Sequence, residues 1–147
     1  MCIIIDANVA ALVLGKRVDP SFDELAKCLY DPNSRSIKLV TGGKLKAEHE
    51  RLPSVVASLI RLDQANRIRT IPDLEINQEI IMLGTRGKLA SDDIHVLALA
   101  RAAKVGLLCT DDADLIIDFK NKDLIDNPRG KIYKQKAHEL LIREYCK

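Results

Sequence analysis

Short β-branched runs, each too brief to be a helix, alternate along this chain with segments of helical period. Cys2 to Ile5, Ile37 to Val40, Ile68 to Ile71 and Val105 to Thr110 read as buried strands bounded by polar or turn residues. Lys131 to Lys134 reads as a last edge strand. Between them, Phe22, Leu25, Ala26 and Leu29 form one apolar stripe, started by Asp19-Pro20-Ser21 and stopped by Asp31-Pro32-Asn33. Val9 to Leu14 predicts a helical turn closed by Gly15. Leu45 to Ala65 carries a longer stripe that Pro53 interrupts, which predicts a kink or two helices. Leu74 to Leu83 predicts another helix. Ser91 reads as the cap of a helix running to about Lys104, apolar almost all round and therefore the most buried. Ala113 to Asp118 and Ala137 to Tyr145 complete the helical segments. Strands that alternate with helices imply a parallel sheet covered on both faces.

Residues 1–147 are expected to form a single domain, with no internal repeat or linker and enough chain for a core without staples. The chain is 47% hydrophobic and 30% charged, a balance that argues against disorder. Cys2, Cys28, Cys109 and Cys146 lie far apart with no C-x-x-C pairing, and no signal peptide is read. Buried thiols in a reduced, cytoplasmic setting are the expectation. No apolar run approaches the ~20 residues of a membrane span. Tryptophan is absent and aromatics are 3%, which argues against base stacking on an aromatic platform.

Ligands in doubly wound sheets sit beyond the carboxyl ends of the strands. Asp6 stands at that end of the first strand, and Asp111, Asp112 and Asp114 follow the fourth. Glu48 and Glu50 enter from the helix after Gly42-Gly43, and Asp92 and Asp93 follow Ser91. Carboxylates gathered at one sheet edge repel unless a cation neutralises them, so an oxygen-lined Mg²⁺ or Mn²⁺ site and phosphodiester hydrolysis are indicated.

Each acid also has a plainer reading. Asp6 and Asp112 could cap the helices that follow them, and Asp92 or Asp93 could face a helix dipole. At about 100° per residue, Glu48 lies some 60° from Leu45 on the flank of the apolar stripe, whereas Glu50 lies about 140° away on the solvated face. Asp93 shares a face with Val96, Leu97 and Ala100. Asp111, Asp112 and Asp114 cannot all converge; Asp112 is taken as the primary ligand and Asp114 as accessory. Thr110 and Asn8 can hydrogen-bond these carboxylates or serve as ordinary caps.

Net charge is only +2, but basic residues cluster. Lys44 and Lys46 adjoin Glu48, and Lys131 and Lys134 fall in a basic stretch from Lys120 to Lys136. Together they are candidates for holding a polyanion by its phosphates, against the plainer reading of a solvated surface. His49, His95 and His138 lack zinc spacing. Ser54 and Ser91 lack a nucleophile elbow. Gly42-Gly43-Lys44 is not a P-loop.

Ile3-Ile4-Ile5-Asp6-Ala7-Asn8, Gly42-Gly43-Lys44-Leu45-Lys46-Ala47-Glu48, Ser91-Asp92-Asp93-Ile94-His95-Val96-Leu97-Ala98-Leu99-Ala100 and Thr110-Asp111-Asp112-Ala113-Asp114, in that order, resemble the PIN domain. That nuclease family includes toxins of toxin–antitoxin pairs, RNA-processing factors and, distantly, flap endonucleases. The resemblance implies a three-layer α/β/α sandwich, one or two Mg²⁺ or Mn²⁺ ions, and cleavage of single-stranded RNA by metal-activated water. It carries the family's acids onto Asp6, Glu48, Asp93 and Asp112, with Asp114 as a frequent fifth. The doubled acids at Asp92-Asp93 and Asp111-Asp112 leave each assignment open by one residue. An endoribonuclease is therefore expected, with an antitoxin or a second copy of the chain as possible protein partners. A PIN-like module that binds RNA or protein without catalysis is the competing class. A haloacid-dehalogenase phosphatase is excluded by the absence of D-x-D-x-T, since Ala7-Asn8-Val9-Ala10 follow Asp6.

Overall fold

The structure is a computed structural model and describes residues 1–33 and 37–143. Among the described residues five strands form the central sheet: β1 (Cys2–Ile5), β2 (Lys38–Thr41), β3 (Ile68–Thr70), β4 (Leu107–Cys109) and β5 (Lys131–Tyr133). Their spatial order is β3-β2-β1-β4-β5, and every neighbouring pair is parallel. The chain builds outward from β1 to β3, then crosses back to add β4 and β5 on the other side. The gap beyond β1 and β4 is therefore the switch point where such sheets open a crevice.

Among the described residues seven α-helices flank the sheet: α1 (Ala7–Leu14), α2 (Asp23–Tyr30), α3 (Gly43–Glu50), α4 (Pro53–Gln64), α5 (Asp73–Gly84), α6 (Ile94–Ala103) and α7 (Ala113–Lys120). Successive strand side chains point to opposite faces. Ile4, Val40, Leu108 and Ile132 pack under α5, α6 and α7, while Ile3, Ile5, Leu39, Cys109 and Tyr133 pack under α1, α2 and α4. Both faces are buried, which is why the strands read as continuous apolar runs rather than as alternating ones. The fold is α/β with an all-parallel sheet between two helical layers, as expected.

Pro53 does split the 45–65 segment. It occupies the first turn of α4, where its missing N–H is no loss, and Leu52 stands extended between the two helices. Seven of the ten residues of α6 are buried, matching its all-round apolar pattern. Three expectations need correction. Ser91 is not the cap of α6: Asp93 holds that position, and the Ser91 hydroxyl is used elsewhere. The closing segment is a 3₁₀ helix over Lys136–Leu141 rather than an α-helix, and Tyr145 lies outside the described residues. Cys28 is disulfide-bonded, contrary to the expectation of reduced thiols, while Cys2 and Cys109 are free; Cys146 lies outside the described residues. Among the described residues no helix is long and apolar enough to cross a membrane.

The junction of β5 with the 3₁₀ helix carries a pH-sensitive contact. The Lys134 amide donates to His138 Nδ1 at 3.0 Å, which requires that nitrogen to be unprotonated. Partial burial, then Lys120 and Lys134, hold the His138 pKa below its ordinary value. In the unfolded chain the imidazole takes up its proton at higher pH, so stability is complete above about pH 6.5 and declines as pH falls through the folded midpoint. His138→Gln is expected to flatten that dependence between pH 7 and 5.5. The effect should stay under about 1 kcal/mol, the scale of one hydrogen bond, and chemical denaturation at several pH values measures it.

Candidate active site

The carboxyl edge of the sheet begins at Asp6, which is buried at the N-cap position of α1. Its carboxylate makes no capping hydrogen bond of good geometry into that helix, although the neighbouring Ala7 amide favours its charged form. Instead Oδ2 accepts the Thr110 hydroxyl at 2.8 Å, and the Asp6 amide donates to the Cys109 carbonyl at 2.9 Å. The same Thr110 oxygen accepts the Asp112 amide at 3.1 Å, so one fully buried hydroxyl ties the ends of β1 and β4 together. Asp112 is a true cap: its Oδ1 accepts from the amides of Asp114 and Leu115 at 2.9 and 3.1 Å. Both capping bonds use the same oxygen.

Glu48 reaches this edge because of two local devices. Gly43 takes a left-handed φ of 52°, and at Gly42 a Cβ would come within 2.8 Å of the Ile71 carbonyl, so this tight turn from β2 into α3 demands glycine. His49, fully buried, then approaches the Ile5 carbonyl with Nε2 at 2.8 Å. A carbonyl only accepts, so Nε2 carries the hydrogen and pins α3 to the end of β1. Glu48 Oε1 stands 3.5 Å from His95 Nε2 and 4.0 Å from Lys44 Nζ. The His95 contact is an ion-pair distance without hydrogen-bond geometry, leaving that buried nitrogen with no hydrogen-bond partner among the described residues.

The acids sense one another. Burial raises the pKa of Asp6, and the charges of Asp93 and Asp112 raise it further, against the Thr110 hydroxyl and the Ala7 amide. Burial likewise raises Asp93; Asp112 and Glu48 add to the rise while His95 and Lys44 oppose it. Four carboxylates from four elements, namely Asp6, Glu48, Asp93 and Asp112, thus share one field. Asp92 is exposed and turned into a neighbouring cleft, and Asp111 is exposed with its Oδ1 accepting from Asn8 Nδ2 at 2.8 Å. Asp114 is exposed in the first turn of α7, and its charge is not among those that shift Asp6 or Asp93. Glu50 is exposed and lines that same neighbouring cleft, and its charge is not among those that shift Asp6 or Asp93.

Among the described residues no group of three or more His, Cys, Asp or Glu side chains is already arranged to hold a metal ion. The chemistry nevertheless fits a hard cation. The donors are carboxylate oxygens; burial is the larger cause of both elevations, and the charges of Asp93 and Asp112 on Asp6, and of Asp112 and Glu48 on Asp93, add repulsion that a divalent ion would relieve.

The basic candidates divide. Lys44 and Lys46 line an open cleft of about 790 Å³ together with Asp92 and His95, directly beside Glu48. Lys134 lies just past the carboxyl end of β5, on the same sheet edge as Asp6. Lys131 opens β5 and pairs with Leu107 at the start of β4, so it lies at the opposite edge. There it lines a separate cleft of about 500 Å³ with Arg69, Lys104 and Arg129. Proximity in sequence had grouped Lys131 with Lys134, and the length of one strand separates them.

No protein-family model matches the chain, and no curated protein matches it. In structure it is similar to a chain in the crystal structure of VapBC2 from Rickettsia felis bound to a DNA fragment from their promoter. The TM-score is 0.52 with 14% identity, over 91% of this chain and all of that one. At that identity the likeness speaks to the fold alone, and it agrees with a PIN-like arrangement of five parallel strands flanked by helices. Sequence reasoning missed two residues that shape the edge. His95 carried no spacing signal, and Asp118 looked like the end of a short helix.

Proposed function

We propose that this chain is a PIN-type endoribonuclease dependent on Mg²⁺ or Mn²⁺, cutting single-stranded or structured RNA. The observation that carries the reading is the convergence of Asp6, Glu48, Asp93 and Asp112 from four separate elements onto one electrostatically coupled edge. These four would hold one or two ions, with Asp114 as an accessory ligand. When bound, such an ion lowers the pKa of a water and stabilises the leaving oxyanion.

The protein's own groups supply the rest. Thr110 keeps Asp6 and Asp112 in register. Lys44 and Lys46 along the adjoining cleft, and Lys134 on the same edge, would hold substrate phosphates. The structural neighbour belongs to an assembly named VapBC2; by that likeness we infer a protein partner of the antitoxin kind, with a second copy of the chain as the alternative. Incubation of mixed RNAs with Mn²⁺, and with chelator in parallel, tests the proposal: cleavage only with the metal is expected. A second reading, a binding module without catalysis, draws on the absence of a ready-made metal group. It predicts RNA retention with no cleavage under either condition.

Salt dependence distinguishes the lysines. Each phosphate contact contributes roughly 0.7 to the log–log salt slope for single strands. On cleavage-dead Asp6→Asn protein, Lys134→Gln should flatten the slope of RNA binding by about that much. Lys131→Gln, at the other edge, should leave it unchanged.

A further inference from the structure

Helix α7 begins at one candidate ligand and ends on a buried carboxylate that no step above uses. Asp118, 3% exposed, sits in the last full turn. Its Oδ1 accepts the Ala90 amide at 2.9 Å, and its Oδ2 accepts both the amide and the hydroxyl of Ser91 at 2.8 Å. Among the described residues it forms no ion pair. All three donors belong to the irregular segment that leads into α6. The Ser91 oxygen in turn accepts the Asp93 amide at 3.3 Å.

This arrangement is not helix capping, because α6 begins at Ile94 and the amides held by Asp118 lie outside it. Nor would a neutral amide serve equally well. Three donors converge on two oxygens, and an asparagine would turn an NH₂ group toward at least one of them. Meanwhile the other end of α7 is fixed through Asp112 to Thr110 and thence to Asp6. The chain of contacts runs Asp6, Thr110, Asp112, α7, Asp118, Ser91, Asp93.

We propose that Asp118 and Ser91 are a positioning pair that sets Asp93 against Asp112 and Asp6, and so fixes the cation affinity of the edge. This rests on the reading of those acids as a metal site. Asp118 touches neither ion nor substrate; it acts through the loop it holds.

Two readouts test the pair, using the whole chain. Ser91→Ala removes both the hydroxyl bond to Asp118 and the acceptor for the Asp93 amide. It should raise amide exchange at residues 90–93 and raise the Mn²⁺ dissociation constant about tenfold, the low end of the effect of outer-shell partners. Ser91→Thr, which keeps the hydroxyl, should restore both. Asp118→Asn should act as Ser91→Ala does, and if it does not fold, the serine variants decide the matter alone. A purely structural role would lower the melting temperature while leaving the Mn²⁺ affinity of the folded protein untouched, and that result overturns the proposal. If wild type binds no Mn²⁺, the metal-site reading fails by itself. Exchange separates the two failures: unchanged protection at 90–93 in Ser91→Ala refutes the positioning pair whatever the metal does, whereas lost protection there without Mn²⁺ binding leaves the failure with the metal-site reading.

Discussion

Asp6→Asn is expected to abolish metal-dependent RNA cleavage while leaving the fold intact. The loss should be on the order of 10²–10³-fold or more, the scale seen when one preorganised charge-stabilising group is removed. Stability should move the other way. Asp6 is buried beside Asp93 and Asp112, so its folded pKa is raised, and ionisation at neutral pH works against the metal-free fold. A group raised in this way contributes its stability below the unfolded pKa, near 3.8, and loses it as pH climbs through the folded midpoint. Asparagine carries no such charge and can still accept the Thr110 hydroxyl. The metal-free melting temperature at pH 7 should therefore hold level or rise. A variant that keeps wild-type cleavage would remove Asp6 from the site.

The second large effect separates two glutamates on one helix. Glu48→Gln should weaken Mn²⁺ binding by at least about tenfold, roughly 1.4 kcal/mol, and Glu50→Gln should leave it unchanged. Glu48 lies where its charge raises Asp93, whereas Glu50 is exposed in the adjoining cleft and shifts neither Asp6 nor Asp93. Removing Glu48 also frees Lys44 and His95 from their shared partner, so some affinity for phosphate could be gained as metal affinity is lost. Calorimetric titration of both variants measures the contrast, and equal affinities would defeat it.

Particular residues explain what the sequence made legible. The strands could be read because both faces of a parallel sheet are buried, and runs such as Ile3-Ile4-Ile5 have no other economical use. Pro53 could be read because a proline without an amide hydrogen has few places in a helix. Asp6 could be placed at a ligand-bearing edge from its position alone, yet which of capping and hydroxyl bonding it performs is a tertiary fact, set by Thr110 more than a hundred residues away. Ser91 misled for the same reason. A serine before a helix fits a cap by local rules, and only the fold brings Asp118 to compete for its hydroxyl. Lys131 and Lys134 looked like neighbours because only two residues separate them, but a strand spends that length crossing the sheet from one edge to the other. His49 showed only that it lacks zinc spacing, and its partner, the Ile5 carbonyl, could not be seen from the sequence.

The central claim is that four elements deliver their carboxylates to a single cation site at the carboxyl edge. Titration of ¹⁵N-labelled protein with substoichiometric Mn²⁺ tests it directly, since the paramagnetic ion broadens nearby amide signals. Amides around Asp6, Glu48, Asp93 and Thr110 to Asp112 should disappear together and first, while those of Gly106, Arg129 and Lys131 at the far edge stay sharp. Broadening that spares any one of the four acids, that is spread over the whole surface, or that is absent would contradict the claim.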